Sequence, residues 1–354
     1  MTTLVAFIIV IGPLIFFHEL GHFLAAKRSG IKVEKFSFGF PPKIIGKKIG
    51  DTEYCLSAIL LGGYVKMAGE DPDEKELKGE PWEFMSKPIH TRGLVVFAGP
   101  AMNFILAILI FWGITFFAGK QEIHENTNQI GLVAPEGPAD KAGIKPGDRI
   151  ISINGIEVKT FKEMAQIIYE QVEKPIEVNW KRDGEEHTAT LTTFKDRILD
   201  EKGEPKYVGK IGIGPSYTTV KVGFFRSFLE GIGTSIFILV ESIKFIIGLI
   251  TGTASIKLLG GPVLIAQVAG ETAKTGIVNL LSFMALLSVN LSFVNVLPIP
   301  ILDGGHLLFL SIEKIKGRPL TIKQRAAMQQ VGLAFLILLI IFVTYNDFLR
   351  LIKR

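Results

Sequence analysis

The stretch Phe16-Phe17-His18-Glu19-Leu20-Gly21-His22-Phe23-Leu24 lies within an apolar run from Leu4 to Ala26 whose only ionisable side chains are His18, Glu19 and His22. A run of this length can cross a bilayer, which takes about 20 apolar residues per helical crossing. Polar groups inside a membrane helix are costly, so three together mark function. On a helix, positions i and i+4 share a face, and both imidazoles can reach one metal ion. Glu19, next to the first histidine, sits where it could take a proton from an activated water. The pairing of motif and location implies hydrolytic chemistry at membrane depth.

The rest of the chain agrees with a membrane setting. Its 354 residues are 48% hydrophobic, with a mean hydropathy of +0.38, and the apolar residues are gathered in blocks. The net charge of +5 comes largely from Lys and Arg beside those blocks. That pattern reads as topology, not as a nucleic-acid surface. Cys55 is the only cysteine, so no internal disulfide is possible and the redox compartment stays open. Met1-Thr2-Thr3 lacks the positive stretch of a signal peptide, and Lys27-Arg28 follow the apolar run. This arrangement favours an uncleaved first helix with its N-terminus outside.

Four segments are expected to span: Leu4 to Ala26, Leu94 to Ala118, Leu280 to Leu302 and Ala326 to Tyr345. A fifth apolar stretch, Phe224 to Ile250, carries Arg226, Glu230, Glu241 and Lys244. At about 100° per residue these four fall on one narrow face, the pattern of an amphipathic helix in the interface, with a true span as the alternative. Residues 27–92 hold twelve Lys or Arg and residues 311–325 hold five. Both loops should be cytoplasmic by the positive-inside rule, and four spans put both inside. Residues 119–279 then lie outside. A fifth span would reverse the third and carry its end away from the His18 and His22 end of the first.

A catalytic zinc site needs a third protein ligand and an open position. The best candidate is Asp303, which ends the third span in Asn295-Val-Leu-Pro-Ile-Pro-Ile-Leu-Asp303-Gly-Gly-His306. Pro298 and Pro300 cannot both sit in a regular helix, so residues 298–302 should be extended. Irregular backbone at membrane depth is tolerated where it is buried in protein or lines a wet cavity. Asn290 and Asn295 add amides to the same wall. Asp303 could instead be a polar residue at a helix terminus, and His306 could compete as a ligand. In the four-span arrangement, His18, His22 and Asp303 share a depth.

Residues 119–220 read as a compact domain. Ile150 to Ile153 is a strand, Asn154-Gly155 a turn and Phe161 to Val172 an amphipathic helix. Pro175 to Trp180, the Asp183-Gly184 turn and His187 to Thr193 form a hairpin. Between the first two spans, residues 48–58 alternate around Gly50-Asp51, followed by Leu61-Gly62-Gly63-Tyr64-Val65-Lys66-Met67. The pattern alone would also suit a cytoplasmic loop of scattered strands.

On these residues the chain resembles the bacterial site-2 proteases, intramembrane zinc metalloproteases of the RseP type. The resemblance rests on His18-Glu19-Leu20-Gly21-His22, on Phe97-Ala-Gly-Pro-Ala-Met-Asn103 opening the second span, and on Asn295-x-x-Pro298-x-Pro300-x-Leu302-Asp303-Gly304. It implies that His18, His22 and Asp303 bind zinc, that Glu19 is the catalytic base and that Asn295 helps hold the substrate backbone. It also implies a membrane-reentrant β element in which Gly62, Gly63, Tyr64 and Val65 offer a strand edge to an unwound substrate, by β-augmentation. The segment from Ile130 through Gly155 resembles a PDZ domain, where an extended peptide or a protein C-terminus is received beside the helix. Family members often carry two such domains, and this chain has room for one.

The expected architecture is a polytopic α-helical membrane protein with four transmembrane helices, a membrane-associated β element and one extracytoplasmic PDZ-like α+β domain. Residues 1–118 form the first half of the protease core and 119–220 the PDZ-like domain. Residues 221–279 form the interfacial helix and connector, and 280–354 the second half of the core. The expected place is the bacterial inner membrane, with both termini and the PDZ-like domain extracytoplasmic. The expected partners are the lipid bilayer and single-pass transmembrane proteins such as anti-sigma factors or signal-peptide remnants, with no nucleic acid. Two rival readings are a membrane-anchored PDZ scaffold with a structural metal site, and a zinc-dependent membrane hydrolase or transporter acting on a small molecule.

Overall fold

The computed structural model describes residues 2–70, 79–199 and 205–352. Two compact units emerge, one from Met1–Ala118, Gly223–Ile247 and Leu259–Arg354, the other from Gly119–Val222 with Gly248–Leu258. The first opens with α1 (Thr2–Arg28), β1 (Val33–Ile49), β2 (Thr52–Met67) and α2 (Ile89–Ala118). The second holds β3 (Lys120–His124), β4 (Ile130–Val133), α3 (Pro138–Lys141), β5 (Arg149–Ile153), β6 (Ile156–Glu157) and α4 (Phe161–Tyr169). It continues through β7 (Pro175–Arg182), β8 (Glu185–Thr192), β9 (Phe194–Leu199), β10 (Pro205–Lys210) and β11 (Ile213–Val220). The chain then forms α5 (Phe224–Thr251), α6 (Pro262–Thr275), α7 (Ile277–Val296), α8 (Asp303–Lys316) and α9 (Ile322–Ile352).

Among the described residues, five helices are long and apolar enough to cross a membrane: α1, α2, α5, α7 and α9. Their directions follow from named contacts. His18 of α1 meets Asn103 of α2, and His22, one turn on, meets Val95, so α1 and α2 are antiparallel. Ser288 of α7 donates to the Asn103 carbonyl, while Ala285 and Ala107 share one cluster, so α7 also opposes α2 and runs parallel to α1. The helices close on small residues, as membrane helices do when close backbone contact replaces hydrophobic drive. A Cβ on Gly21 would collide with the Ala98 carbonyl.

By length and composition α5 qualifies as a span with the others. Its Ser227, Gly231 and Ser235 are buried, and Gly231 packs against the α2 backbone at Ile108 and Trp112. Ser242 donates to the Asn290 side chain of α7 at 2.7 Å. Arg226, Glu241 and Lys244 are exposed on another face, and Phe225, Leu229 and Ile236 on a third.

The third span differs from its expected form. It was expected to run from Leu280, with residues 298–302 extended, and to end in Asp303; α7 stops at Val296 and residues 297–302 are non-helical, as expected there, but Asp303 opens a new helix, α8. The two prolines account for the unwinding. The restart rests on Gly304 and Gly305, since a Cβ at either would strike the carbonyls of Val296, Leu297 or Ile299. An acidic residue in the first turn suits the helix dipole.

β1 and β2 turn at Gly50-Asp51, where Gly50 takes a φ of 62°. Both strands are long enough to double back. The first part of β1 pairs on one side with residues 53–56 and on the other with residues 63–66, while its second part pairs with 52–57. The segment around Tyr64 and Val65 is thereby an outer edge.

The other unit has a four-stranded sheet in the order β6-β5-β7-β8, a three-stranded sheet β3-β11-β4 and the hairpin β9-β10. The expected strand at 150–153, the helix from Phe161 and the hairpin around Asp183-Gly184 are all present, and α4 ends at Tyr169, not Val172. Thr160 and Glu163 form a capping box at the start of α4, which satisfies two otherwise orphaned amides. Ile150, Ile153, Met164, Ile176 and Val178 form its sealed core.

Candidate metal centre

His18 and His22 lie on the face of α1 that meets α2, and Asp303 comes to them from the first turn of α8. His18 Nε2 is 3.1 Å from Asp303 Oδ2, His22 Nε2 is 3.5 Å from Asp303 Oδ1, and the two Nε2 atoms are 3.3 Å apart. A tetrahedral zinc ion with bonds of about 2.1 Å sets its ligand atoms about 3.4 Å from one another. The Asp303 distances are to its two different oxygens, and one donor atom from each of the three side chains lies within 4.8 Å of the others, close enough to share one ion. Asp303 Oδ2 is buried and has no hydrogen-bond partner, which in a protein interior calls for an explanation such as a missing ion. His22 Nδ1–H donates to the Val95 carbonyl at 2.9 Å, leaving the Nε2 lone pair directed toward Asp303. The donor set fits zinc, and among the described residues no fourth His, Cys, Asp or Glu joins it. The fourth position of a catalytic site stays open in such an arrangement.

Glu19 points away from the histidine pair toward the β element. Its Cγ lies beside Gly63, and the Val65 amide donates to its carboxylate. Tyr64, Val65 and Lys66 line a cavity of about 680 Å³ together with His18, Glu19, His22 and Asp303. His306, Arg325 and Gln329 form its opposite wall.

The structure thus brings together His18, Glu19, His22, Asp303, Tyr64 and Val65. Gly62 and Gly63 lie on the same edge strand but serve it by their small size: a Cβ on Gly62 would overlap the Phe40 ring. Asn295 sits half-buried in the last turn of α7, outside the residues lining the cavity, and Asn290 is engaged by Ser242. His306 faces the cavity without joining the three-donor group.

Two neighbours on α2, quoted above within the stretch from Phe97 to Asn103, were given no role in the site from the sequence. A Cβ on Gly99 would collide with His22 Nε2 and press on His18 Cε1, so the imidazoles lie directly on the α2 backbone. Asn103, fully buried, approaches His18 Nδ1 at 3.3 Å. An asparagine within an apolar span was a visible signal by the same argument that flagged His18.

Comparison with known proteins places this geometry. Residues 6–339 match the family described as Peptidase family M50. The "Regulator of sigma-W protease RasP" of Bacillus subtilis is 34% identical, with 99% of each chain covered. The "Zinc metalloprotease RasP" of Bacillus licheniformis is also 34% identical, over 99% of this chain and 100% of that one. Its namesake in Geobacillus kaustophilus is 31% identical over 98% of both. With a match over nearly its whole length, the chain belongs to peptidase family M50 and is a membrane-integral zinc metalloendopeptidase of the site-2 type.

Proposed function

We propose that this protein cleaves transmembrane segments of single-pass membrane proteins, with His18, His22 and Asp303 holding zinc and Glu19 acting as general base. The observation that carries this reading is the convergence of three metal-binding side chains, with donor atoms within 4.8 Å of one another, next to Glu19 inside a bundle of apolar helices. Zinc bound there would polarise the scissile carbonyl and make water a better nucleophile. Glu19 takes a proton from the attacking water and delivers it to the leaving amine. The Val65 amide holds the Glu19 carboxylate against the edge strand.

A helical substrate hides its peptide bonds in its own ladder and must unwind before attack. The outer edge at Tyr64 and Val65, which pairs with no further strand among the described residues, supports capture of the unwound segment by strand addition. Asn295 is assigned to the substrate backbone with Gly62 and Gly63 shaping the edge. The parallel course of α1 and α7 supports four spans. The chain leaves α2 and enters α7 on one side, so α5 lies against the bundle without a net crossing. Its exposed charged face next to an exposed apolar face suits the interface. In that arrangement residues 119–220, both termini and α6 are extracytoplasmic, in a bacterial inner membrane. The PDZ-like unit receives an extended peptide or C-terminus beside α4, or excludes bulky ectodomains. The substrates are anti-sigma factors, as the name of the Bacillus subtilis relative invites, or signal-peptide remnants.

The test is cleavage of a model transmembrane substrate by purified protein in proteoliposomes, with zinc content measured in parallel. Glu19→Gln should keep zinc and lose about 10²–10⁴-fold in rate. Equal cleavage by both proteins, or none by the zinc-loaded wild type, would sink the reading.

A further inference from the structure

Asn103 lies midway along an apolar helix with no exposure, and only one end of its amide is engaged. As placed, its Nδ2 lies 3.3 Å from His18 Nδ1 while its Oδ1 is buried without a partner. The two ends of an asparagine amide are nearly indistinguishable by shape and are assigned from the hydrogen bonds they make. In the placed orientation Nδ2 donates to His18 Nδ1. The ring proton must then sit on Nε2, the nitrogen that faces Asp303 and His22, and an N–H cannot bind a metal. Turned over, Oδ1 accepts from Nδ1–H. The amide nitrogen then takes the place without a partner, and His18 presents a bare Nε2 to the other two side chains, which a metal ligand requires.

We infer that Asn103 is the positioning residue of the metal centre, its side-chain oxygen accepting the Nδ1–H of His18 and fixing the ring's tautomer and orientation. His22 is held in the same way by the Val95 carbonyl. One helix thereby orients both imidazoles, by a backbone oxygen at 95 and a side-chain oxygen at 103. Ser288 donates to the Asn103 carbonyl at 2.7 Å and pins α2 to α7 at this level. The inference rests on the proposed ligand role of His18.

The test is zinc affinity of the purified full-length protein in detergent, measured by competition with a chromophoric chelator, with the visible spectrum of the cobalt-loaded form as a second readout. Asn103→Leu, close in shape but without an acceptor, should weaken zinc binding by about 10–100-fold and alter the cobalt spectrum. Asn103→Asp, which keeps an acceptor and loses the donor, should bind zinc within a few-fold of wild type. Wild-type affinity in Asn103→Leu overturns the inference, as does weaker binding by Asn103→Asp than by Asn103→Leu, the order expected if Nδ2 were the working end. Should Asn103→Leu fail to fold, a tenfold or greater loss in Asn103→Asp overturns it and near-wild-type affinity supports it. His18→Ala, run alongside, separates this inference from the reading beneath it. Undiminished zinc affinity in His18→Ala removes the ligand assignment and the inference with it. Loss there, with none in Asn103→Leu, removes only the role of Asn103.

Discussion

Each unit of the molecule contains one arginine–carboxylate fork, and the two forks differ chiefly in their surroundings. In the membrane unit Arg92 of α2 grips both oxygens of Glu313 of α8, at 3.1 and 2.5 Å, with both side chains under 10% exposed. In the PDZ-like unit Arg182 grips both oxygens of Asp148 at 2.7 Å, but the arginine is 29% exposed. Fork geometry is the strong form of an ion pair in either setting. Its worth depends on what replaces a lost partner. Water can reach Arg182, whereas Arg92 would be left as a charge in a desolvated place, and Glu313 would keep only Arg325, 4.0 Å away. The cores follow the same division. The PDZ-like unit seals Ile150, Met164 and Ile176 inside, as a water-exposed fold must. In the membrane unit Gly99, Asn103 and Ser288 are sealed alongside Val10 and Leu14, and many large apolar side chains, such as Phe117, Phe225 and Val331, point outward.

The largest effect is expected at the buried fork. Arg92→Leu should lower stability by about 3–5 kcal/mol, because it breaks the fork and leaves the buried Glu313 carboxylate with only Arg325, 4.0 Å away, as a partner. Replacing both members with methionine should recover most of the loss. Thermal unfolding in detergent micelles checks both, and equal damage by single and double variants would break the comparison. Next comes the packing of small residues. Gly99→Ala should cut kcat/KM on a transmembrane substrate by about 100-fold, since displacement of about 1 Å at a reacting centre costs that much. The unfolding midpoint should move far less than for Arg92→Leu. The smallest effect concerns the exposed fork. Burial opposes the Asp148 charge, but the Arg182 fork and the Lys145 amide outweigh it and hold the carboxyl below its ordinary value. A depressed carboxylate stabilises fully above its unfolded value of about 3.9, and that share is lost as pH falls through the folded value. The PDZ-like unit of the full chain should therefore keep a flat unfolding midpoint down to about pH 4 and soften below it. Arg182→Leu should remove that acid dependence, as circular dichroism melts at several pH values would show.

His18, Glu19 and His22 were legible because a helix puts positions four apart on one face, and because charge in an apolar run is conspicuous. Asp303 was legible through its prolines, which announce broken helix at membrane depth. The helix that Asp303 begins was not, since Asp-Gly-Gly reads as a stop until its close approach to the preceding carbonyls is seen. Arg92 and Glu313 are 221 residues apart, and no local pattern links them. The doubling back of β1 and β2 was hidden for a similar reason: alternation reveals a strand but not which stretch lies on its far side. Asn103 was visible as a polar residue in a span, yet its partner across 85 residues depends on the angle at which two helices cross.

One helix recurs wherever the centre is held. The α2 backbone accepts from His22, its Asn103 meets His18, its Gly99 supports both rings, and its Arg92 clamps the far end of the helix that delivers Asp303. All three donors are thus measured from a common datum, in the sense an instrument maker would use. Errors of placement elsewhere in the chain need not accumulate between one ligand and the next. A substrate can be admitted by motion of other elements while the grip on the ion keeps its dimensions, so long as α2 and α8 move as a single piece.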